Sequence, residues 1–229
     1  MARQYIDLLS SLPYLANPFV HRRPPISEVQ LQRRLNMLED EDRITVTTLM
    51  RINYWGRLGL NDSDEAIVRE AQRLIQNIRP PDMREWLFWR MDFRTVVAAL
   101  RRRHSGQDAP VANTLWGFGN HVRQIERNWS HPSFHLENRF PWLEQARSLL
   151  EAGDTFGLER LLLSAVWDYF SRQVPDAPFS LSAVWQYLIK WDLVERWCSY
   201  DTEQAKIRFD EIVSSGLKQP LQDLRKSHE

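Results

Sequence analysis

Apolar side chains recur at intervals of three and four residues along almost the whole chain. This is the period of an α-helix that buries one face, whereas a half-buried strand alternates every second residue. The single candidate strand is weak and covers Tyr5 to Leu9. The sequence therefore predicts an all-α fold of about ten helices.

The spacing also predicts where these helices lie. The stripe from Leu158 to Phe170 is apolar around most of its circumference, so we expect the helix near 155–171 to lie at the centre of the core. Asp201 is a candidate N-cap for the last helix. The predicted helices cover residues 27–38, 42–55, 67–78, 82–90, 92–103, 114–128, 141–151, 155–171, 184–198 and 205–216.

The length of 229 residues fits one large domain or two packed subdomains. Turn-forming residues from His104 to Pro110 interrupt strong helical patterns on both sides. They predict an N-terminal helical subdomain at 1–104 and a C-terminal one at 105–229, with one continuous domain as the alternative. The proline-rich stretch from Ser10 to Pro25 is predicted to be an irregular connector.

Composition excludes several classes of function. Thirty basic residues balance thirty acidic ones, so no overall positive field attracts nucleic acid or anionic lipid. Cys198 is the only cysteine, which excludes an intramolecular disulfide and a multi-cysteine zinc site. No apolar run approaches the roughly 18 residues that cross a bilayer, and the N-terminus does not resemble a signal peptide. We expect a cytoplasmic protein that meets a membrane only through its partners.

The motifs that could support catalysis or metal binding are weak. The acidic run from Glu39 to Asp42 lacks the ligand spacing of a calcium loop and is typical of a solvated helix start. His131 and His135 have a spacing that can hold zinc on a helix, but Pro132 between them favours a turn. Gly117-Phe118-Gly119 favours close helix packing over phosphate binding. The sequence predicts no catalytic residue, no cofactor and no metal site.

Aromatic and basic clusters suggest contact with other proteins instead. Trp86-Leu87-Phe88-Trp89 places aromatic rings on more than one face of a short helix, so part of this cluster could face a partner. Trp and Arg are also enriched among the residues that dominate binding energy at interfaces. The candidate partner-binding residues are Trp86, Trp89, Arg101, Arg102 and Arg103.

Two segments resemble a known family. Residues 91–103 resemble the repeated helix start Asp-x-x-Asn-(apolar)-x-x-(apolar)-(apolar)-Arg of the C-type subunit of V/A-type ATPases, which is similar to the d-type subunit of eukaryotic V-ATPases. Asp92 takes the first position and Thr95 replaces the Asn. Residues 179–191 are similar to a degenerate second copy that lacks both the Asp and the Asn. The whole chain, from Gln4-Tyr5 to Trp191-Asp192, also resembles an uncharacterised bacterial family whose genes commonly accompany those of V-type ATPases.

The resemblance implies an all-helical protein of two imperfect repeats with a coupling role. In the C-type family, three repeats form a funnel that seats the central stalk on the membrane rotor ring, and this chain has room for about two. The implied partners are protein subunits of a V/A-type ATPase that transports protons or sodium ions. No catalytic residue follows from the resemblance.

Two other functions are compatible with the sequence. One is a general helical interaction or regulatory module unrelated to ATPases, which shares every compositional feature. The other is a metal-dependent enzyme built around His121, His131 and His135.

Overall fold

The computed structural model describes residues 3–53, 64–111 and 114–200. These residues contain α-helices and one short 3-10 helix, and no strand is found among them. The all-α prediction is confirmed. The α-helices are α1 (Ile6–Ser10), α2 (Glu28–Leu35), α3 (Asp40–Asn53), α4 (Asp64–Asn77), α5 (Pro81–His104), α6 (Val122–Arg127), α7 (Leu143–Glu151), α8 (Thr155–Arg172) and α9 (residues 181–200), and the 3-10 helix is Pro18–Val20.

Several helices begin where the sequence provides a cap. The side chain of Ser27 accepts a hydrogen bond from Gln30 N before α2, and Gln30 Oε1 accepts one from Ser27 N in return. This reciprocal pair satisfies two amide groups that the first turn of a helix leaves without partners. Asp154 starts α8 in a similar way, because its Oδ1 accepts from Gly157 N at 2.8 Å.

The candidate strand at Tyr5 to Leu9 is wrong. Ile6–Ser10 forms the single helical turn α1, and Leu8 on it is buried. Tyr5 N donates to Phe179 O at 2.7 Å, an isolated contact and not part of a ladder. The pattern over so few positions also fits one turn of helix, since the two buried residues, Tyr5 and Leu8, are three positions apart.

One long helix replaces the two helices predicted at 82–90 and 92–103. The helix α5 runs without a break through 24 residues. Asp92 was expected to begin a new helix as an N-cap, but its carboxylate accepts hydrogen bonds from Asn120 N and Asn120 Nδ2, at 2.7 and 3.2 Å. No proline or glycine separates the two halves, so nothing stops the first helix at residue 91.

The helix predicted at 114–128 is shorter than expected. Only α6, Val122–Arg127, is helical there, and the preceding residues from Thr114 form a loop against α5. Gly119 has a φ of +125°, which no right-handed helix allows. Gly119, one of the two glycines that suited close packing, therefore cannot belong to the helix, which begins only at Val122.

A single hydrophobic cluster includes residues on both sides of the predicted boundary at 104/105. Met83 and Leu100 on α5 pack in the same cluster as Leu162 on α8 and Val184 on α9. The buried positions of α8 confirm its predicted place in the core. Hydrogen bonds from α9 also reach the N-terminal segment: Tyr187 Oη to Pro13 O, Trp191 Nε1 to Ile26 O and Cys198 Sγ to His21 O.

Two other predictions are not tested by the described residues. The helix at 205–216 and the cap at Asp201 lie outside the described residues, and the two-repeat arrangement remains a prediction. Across the ranges 3–53, 64–111 and 114–200, no helix is both long enough and apolar enough to cross a membrane.

Candidate functional site

Trp86 belongs to the core. Its side chain is 2% exposed and lies 5.9 Å from the rings of both Phe170 on α8 and Trp185 on α9. A ring in this position stabilises the junction of three helices and presents no surface. This corrects the expectation that Trp86 forms part of a partner-facing patch, because the aromatic cluster is wedged between helices.

Trp89 is only half-buried. It stacks on Tyr169 of α8 with ring centroids 3.6 Å apart and planes 4° from parallel. Burial raises the pKa of the Tyr169 phenol to about 12. Phe88, between the two tryptophans, stacks on Phe118 of the loop at 5.5 Å. Trp89 also lies 5.9 Å from the Phe170 ring that contacts Trp86, and it keeps part of its surface exposed.

The three predicted arginines at the end of α5 have different environments. Arg103 donates to His131 O and, at 2.7 Å, to Pro132 O, so it fixes a turn of the chain. The guanidinium of Arg102 lies 5.8 Å from the centre of the Trp116 ring, where a cation–π contact is favourable. Arg101 is exposed overall, but partial burial lowers the pKa of its guanidinium and the Glu159 carboxylate opposes that shift. Of the predicted arginines, Arg101 has the largest exposed fraction.

Asp92 and Thr95, the two polar residues of the motif on α5, hold the neighbouring loop. Thr95 Oγ1 donates to Phe118 O at 2.8 Å and accepts from Phe118 N at 2.9 Å. Asp92 accepts from Asn120, and a Cβ on Gly117 would come within 2.6 Å of Thr95 Cγ2. The predicted use of these glycines in close packing is confirmed. The motif therefore has a structural use in this chain, which the sequence did not reveal.

A buried cluster of charges joins α5, α8 and α9. Arg90 is 4% exposed, and Arg196 Nε donates to Glu159 Oε1 beside it. Burial lowers the pKa of Arg90 to about 9, and the Asp192 carboxylate opposes that shift. The four side chains border a cavity of about 10 Å³, which is large enough for one water molecule and too small for a substrate. Their charges balance, so the cluster fixes three helices in register.

The sequence analysis did not predict this cluster of charges, although the positions of its residues along the helices indicate it. Arg90 lies four residues after Trp86 and three before Phe93, so it falls on a stripe of buried positions. Glu159 falls on the apolar stripe of α8 in the same way, next to Leu158. A charge on a buried stripe needs an opposite charge, and several such positions in one chain indicate that they meet.

A groove of about 330 Å³ lies where the first turn of α3, the link from α4 to α5 and the start of α9 come together. Its charges pair with one another. Arg3 lies 3.4 Å from Asp42 and 3.6 Å from Glu41, and Arg79 lies 3.6 Å from Glu41. Tyr5 also donates to Asp42. The volume would fit a small polar ligand or a side chain of a partner.

The polar groups beside this groove hold backbone and do not form a catalytic arrangement. Asp82 Oδ1 accepts from Ser182 Oγ at 2.8 Å, and Asp82 Oδ2 accepts from Asp176 N at 3.0 Å. Ser180 donates to Ala177 O at 2.8 Å. Among the residues described here, neither serine contacts a histidine, whereas a nucleophilic serine needs a base in reach.

The histidines proposed for a metal-dependent enzyme do not form one site. His131 and His135 stack with ring centroids 3.6 Å apart, whereas the ring of His121 packs edge-on against Phe140. Within the described ranges, no group of three or more His, Cys, Asp or Glu side chains is placed to hold a metal ion. The acidic run from Glu39 to Asp42 lies at the start of α3. The prediction that it is solvated is wrong for Asp42, which is half-buried and pairs with Tyr5 and Arg3.

No curated protein and no solved structure matches the chain. The family described as "Protein of unknown function (DUF2764)" matches residues 74–219. This range covers more than half of the chain and includes α5, α8 and the described part of α9. The chain therefore belongs to this family of unknown function.

Proposed function

We propose that the protein is a non-catalytic helical adaptor, located in the cytoplasm, that packs on subunits of a V/A-type rotary ATPase at the membrane surface. The resemblance of residues 91–103 to the helix start of the C-type family supports this assignment. The observation that carries it is the position of that segment: it forms the second half of α5, the longest described helix. This helix contacts α4, α6 and α7, so the segment belongs to an element that packs against three others.

A coupling role needs a rigid element that transmits force, and the length and burial of α5 suit this role. Twelve of its 24 residues are buried. At about 1.5 Å per residue, it spans about 36 Å from the groove to the arginine-rich end. Close-packed interiors deform little, so a force applied at one end reaches the other. The buried charges of Arg90, Glu159 and Asp192, together with the half-buried Arg196, add further fixed contacts to this element.

The exposed end of α5 is the proposed contact for the ATPase. Arg101 is exposed there, and an arginine side chain can pair with carboxylates on a partner through two parallel hydrogen bonds. Trp89, on the same helix, is half-buried and adds apolar surface. Arg102 and Arg103 are half-buried against other parts of the chain, so we expect them to support the surface more than to form it.

Co-expression of the full chain with the central-stalk and rotor-ring subunits of the ATPase from the same genome tests this proposal. We expect a complex that elutes as one species in size-exclusion chromatography. Replacing Arg101→Gln should weaken that complex about tenfold, since the loss of one interfacial charge pair costs about 1–2 kcal/mol. Arg84→Gln removes the same charge from an exposed site at the other end of α5 and should leave the affinity unchanged. Failure of the wild-type chain to elute with any ATPase subunit would contradict the proposal.

A further inference from the structure

A tight turn after α6 depends on one nitrogen of a histidine. His131 Nδ1 accepts hydrogen bonds from Ser133 N at 3.3 Å and from His135 N at 3.2 Å. Ser133 Oγ lies 3.2 Å from the same nitrogen and donates to Glu137 Oε2 at 2.5 Å. An imidazole nitrogen accepts a hydrogen bond only when it carries no proton. These contacts therefore need the neutral ring with its proton on Nε2.

The backbone of this turn is strained and is held by its surroundings. Phe134 and His135 both have a φ of 55°, a left-handed conformation that costs of order 1 kcal/mol or more for residues with side chains. Gln124 Nε2 donates to His135 O at 2.8 Å, and Arg103 donates to His131 O and Pro132 O. The turn connects α5 and α6 through these contacts.

The charges around the histidine pair come from three parts of the chain. Arg103 approaches from α5 and lies over the Phe134 ring. Arg147 and Glu151 of α7 act on Arg103, with opposite signs. The Glu137 carboxylate belongs to the turn itself and accepts from Ser133. Glu137 favours a positive ring electrostatically, and Ser133 Oγ is placed to accept from a protonated His131 Nδ1. Neither group replaces the acceptor that the neutral ring provides to Ser133 N and His135 N.

We propose that His131 and His135 form a pH-sensitive latch that fixes this turn to the end of α5. Protonation of His131 places a hydrogen on Nδ1, so the ring no longer accepts from Ser133 N and His135 N. Protonation of both rings also brings two positive charges together, because the centroids are 3.6 Å apart. The loss of these two acceptor contacts lets the strained turn open when the His131 ring becomes charged. This inference does not depend on the proposed ATPase partner.

Amide hydrogen exchange of the full chain tests the latch. Protection factors for a peptide covering 130–138, each corrected for the intrinsic exchange rate, are measured at pH 7.5 and pH 5.5. We expect the wild type to lose about tenfold protection at the lower pH, the value for one to two hydrogen bonds. A peptide from α8 serves as the internal control and should not change, which separates local opening from global unfolding.

Two variants separate the acceptor from the ring charges. His131→Asn places an oxygen near the position of Nδ1 and does not titrate, so it should keep the protection at both pH values. His135→Asn removes the second ring but keeps the His131 acceptor, so most of the pH dependence should remain. Equal protection at both pH values in the wild type would overturn the proposal, whatever the variants do. A pH dependence that persists in His131→Asn, or that disappears in His135→Asn, would overturn the acceptor mechanism.

Discussion

The contact between the loop before α6 and the helix α5 depends on single residues. A Cβ on Gly119 would lie 2.0 Å from Asp92 Oδ1 and 3.2 Å from Asp92 Cα. The second distance involves backbone, which cannot move away as a flexible side chain could. Gly119 also has a φ of +125°, where any other residue is strained. Only glycine fits here without displacing the loop from α5.

Gly119→Ala should lower the free energy of unfolding by about 3 kcal/mol, from backbone strain and from the clash with Asp92. Gly106→Ala is the matched control, because Gly106 also has a positive φ, of +74°, but has open space where a Cβ would lie. It should cost about 1 kcal/mol. Urea denaturation of both variants measures the difference. Equal losses would mean that the close approach to Asp92 contributes nothing.

Element by element, the sequence predicted most helices and failed where polar side chains act over long distances. Residues 27–38 and 141–151 carry local signals, and helices α2 and α7 form there. The break at residue 91 was predicted because Asp is a good N-cap, but its real partner, Asn120, lies 28 residues away. Residues 114–121 were predicted to be helical, whereas the amide groups of Phe118 and Asn120 donate to Thr95 and Asp92 on α5. Such choices depend on tertiary contacts and not on local preference.

The helix α9 illustrates one such contact that can be tested. Tyr187 Oη donates to Pro13 O at 2.9 Å and so ties the proline-rich connector to α9. Burial raises the pKa of Tyr187 to about 12, whereas a phenol in the unfolded chain titrates near pH 10. A raised pKa means that the stability contributed by this group is complete below about pH 10 and is lost as the pH rises towards 12.

Tyr187→Phe should therefore cost about 1 kcal/mol of unfolding free energy at pH 8, the value of one hydrogen bond. The loss of stability between pH 8 and pH 11 should then be smaller in the variant than in the wild type. Tyr14→Phe is the control, since Tyr14 is 87% exposed and should show neither effect. The measurement is urea denaturation at several pH values. An identical pH dependence in Tyr187→Phe and the wild type would contradict the role given to the buried phenol.

At the scale of the whole molecule, the described residues share one hydrophobic core, which also contains buried charged side chains. The hydrophobic cluster extends across 104/105, where the sequence predicted a boundary between two subdomains. The turn formers at that point make a loop after α5 and do not divide the core. The groove of about 330 Å³ and the buried charges also escaped prediction. Each combines helices that are distant in sequence, so their geometry follows from the packing and not from any local pattern.

We propose that this molecule acts by binding proteins of a rotary ATPase. Affinity purification of the tagged full chain from its native cells, with quantitative mass spectrometry of the bound proteins, is the decisive experiment. V/A-type ATPase subunits should be enriched together, and their yield should fall in the Arg101→Gln variant while it is kept in Arg84→Gln. Recovery of unrelated proteins with no ATPase subunit among them would contradict the account and would support a general helical interaction module.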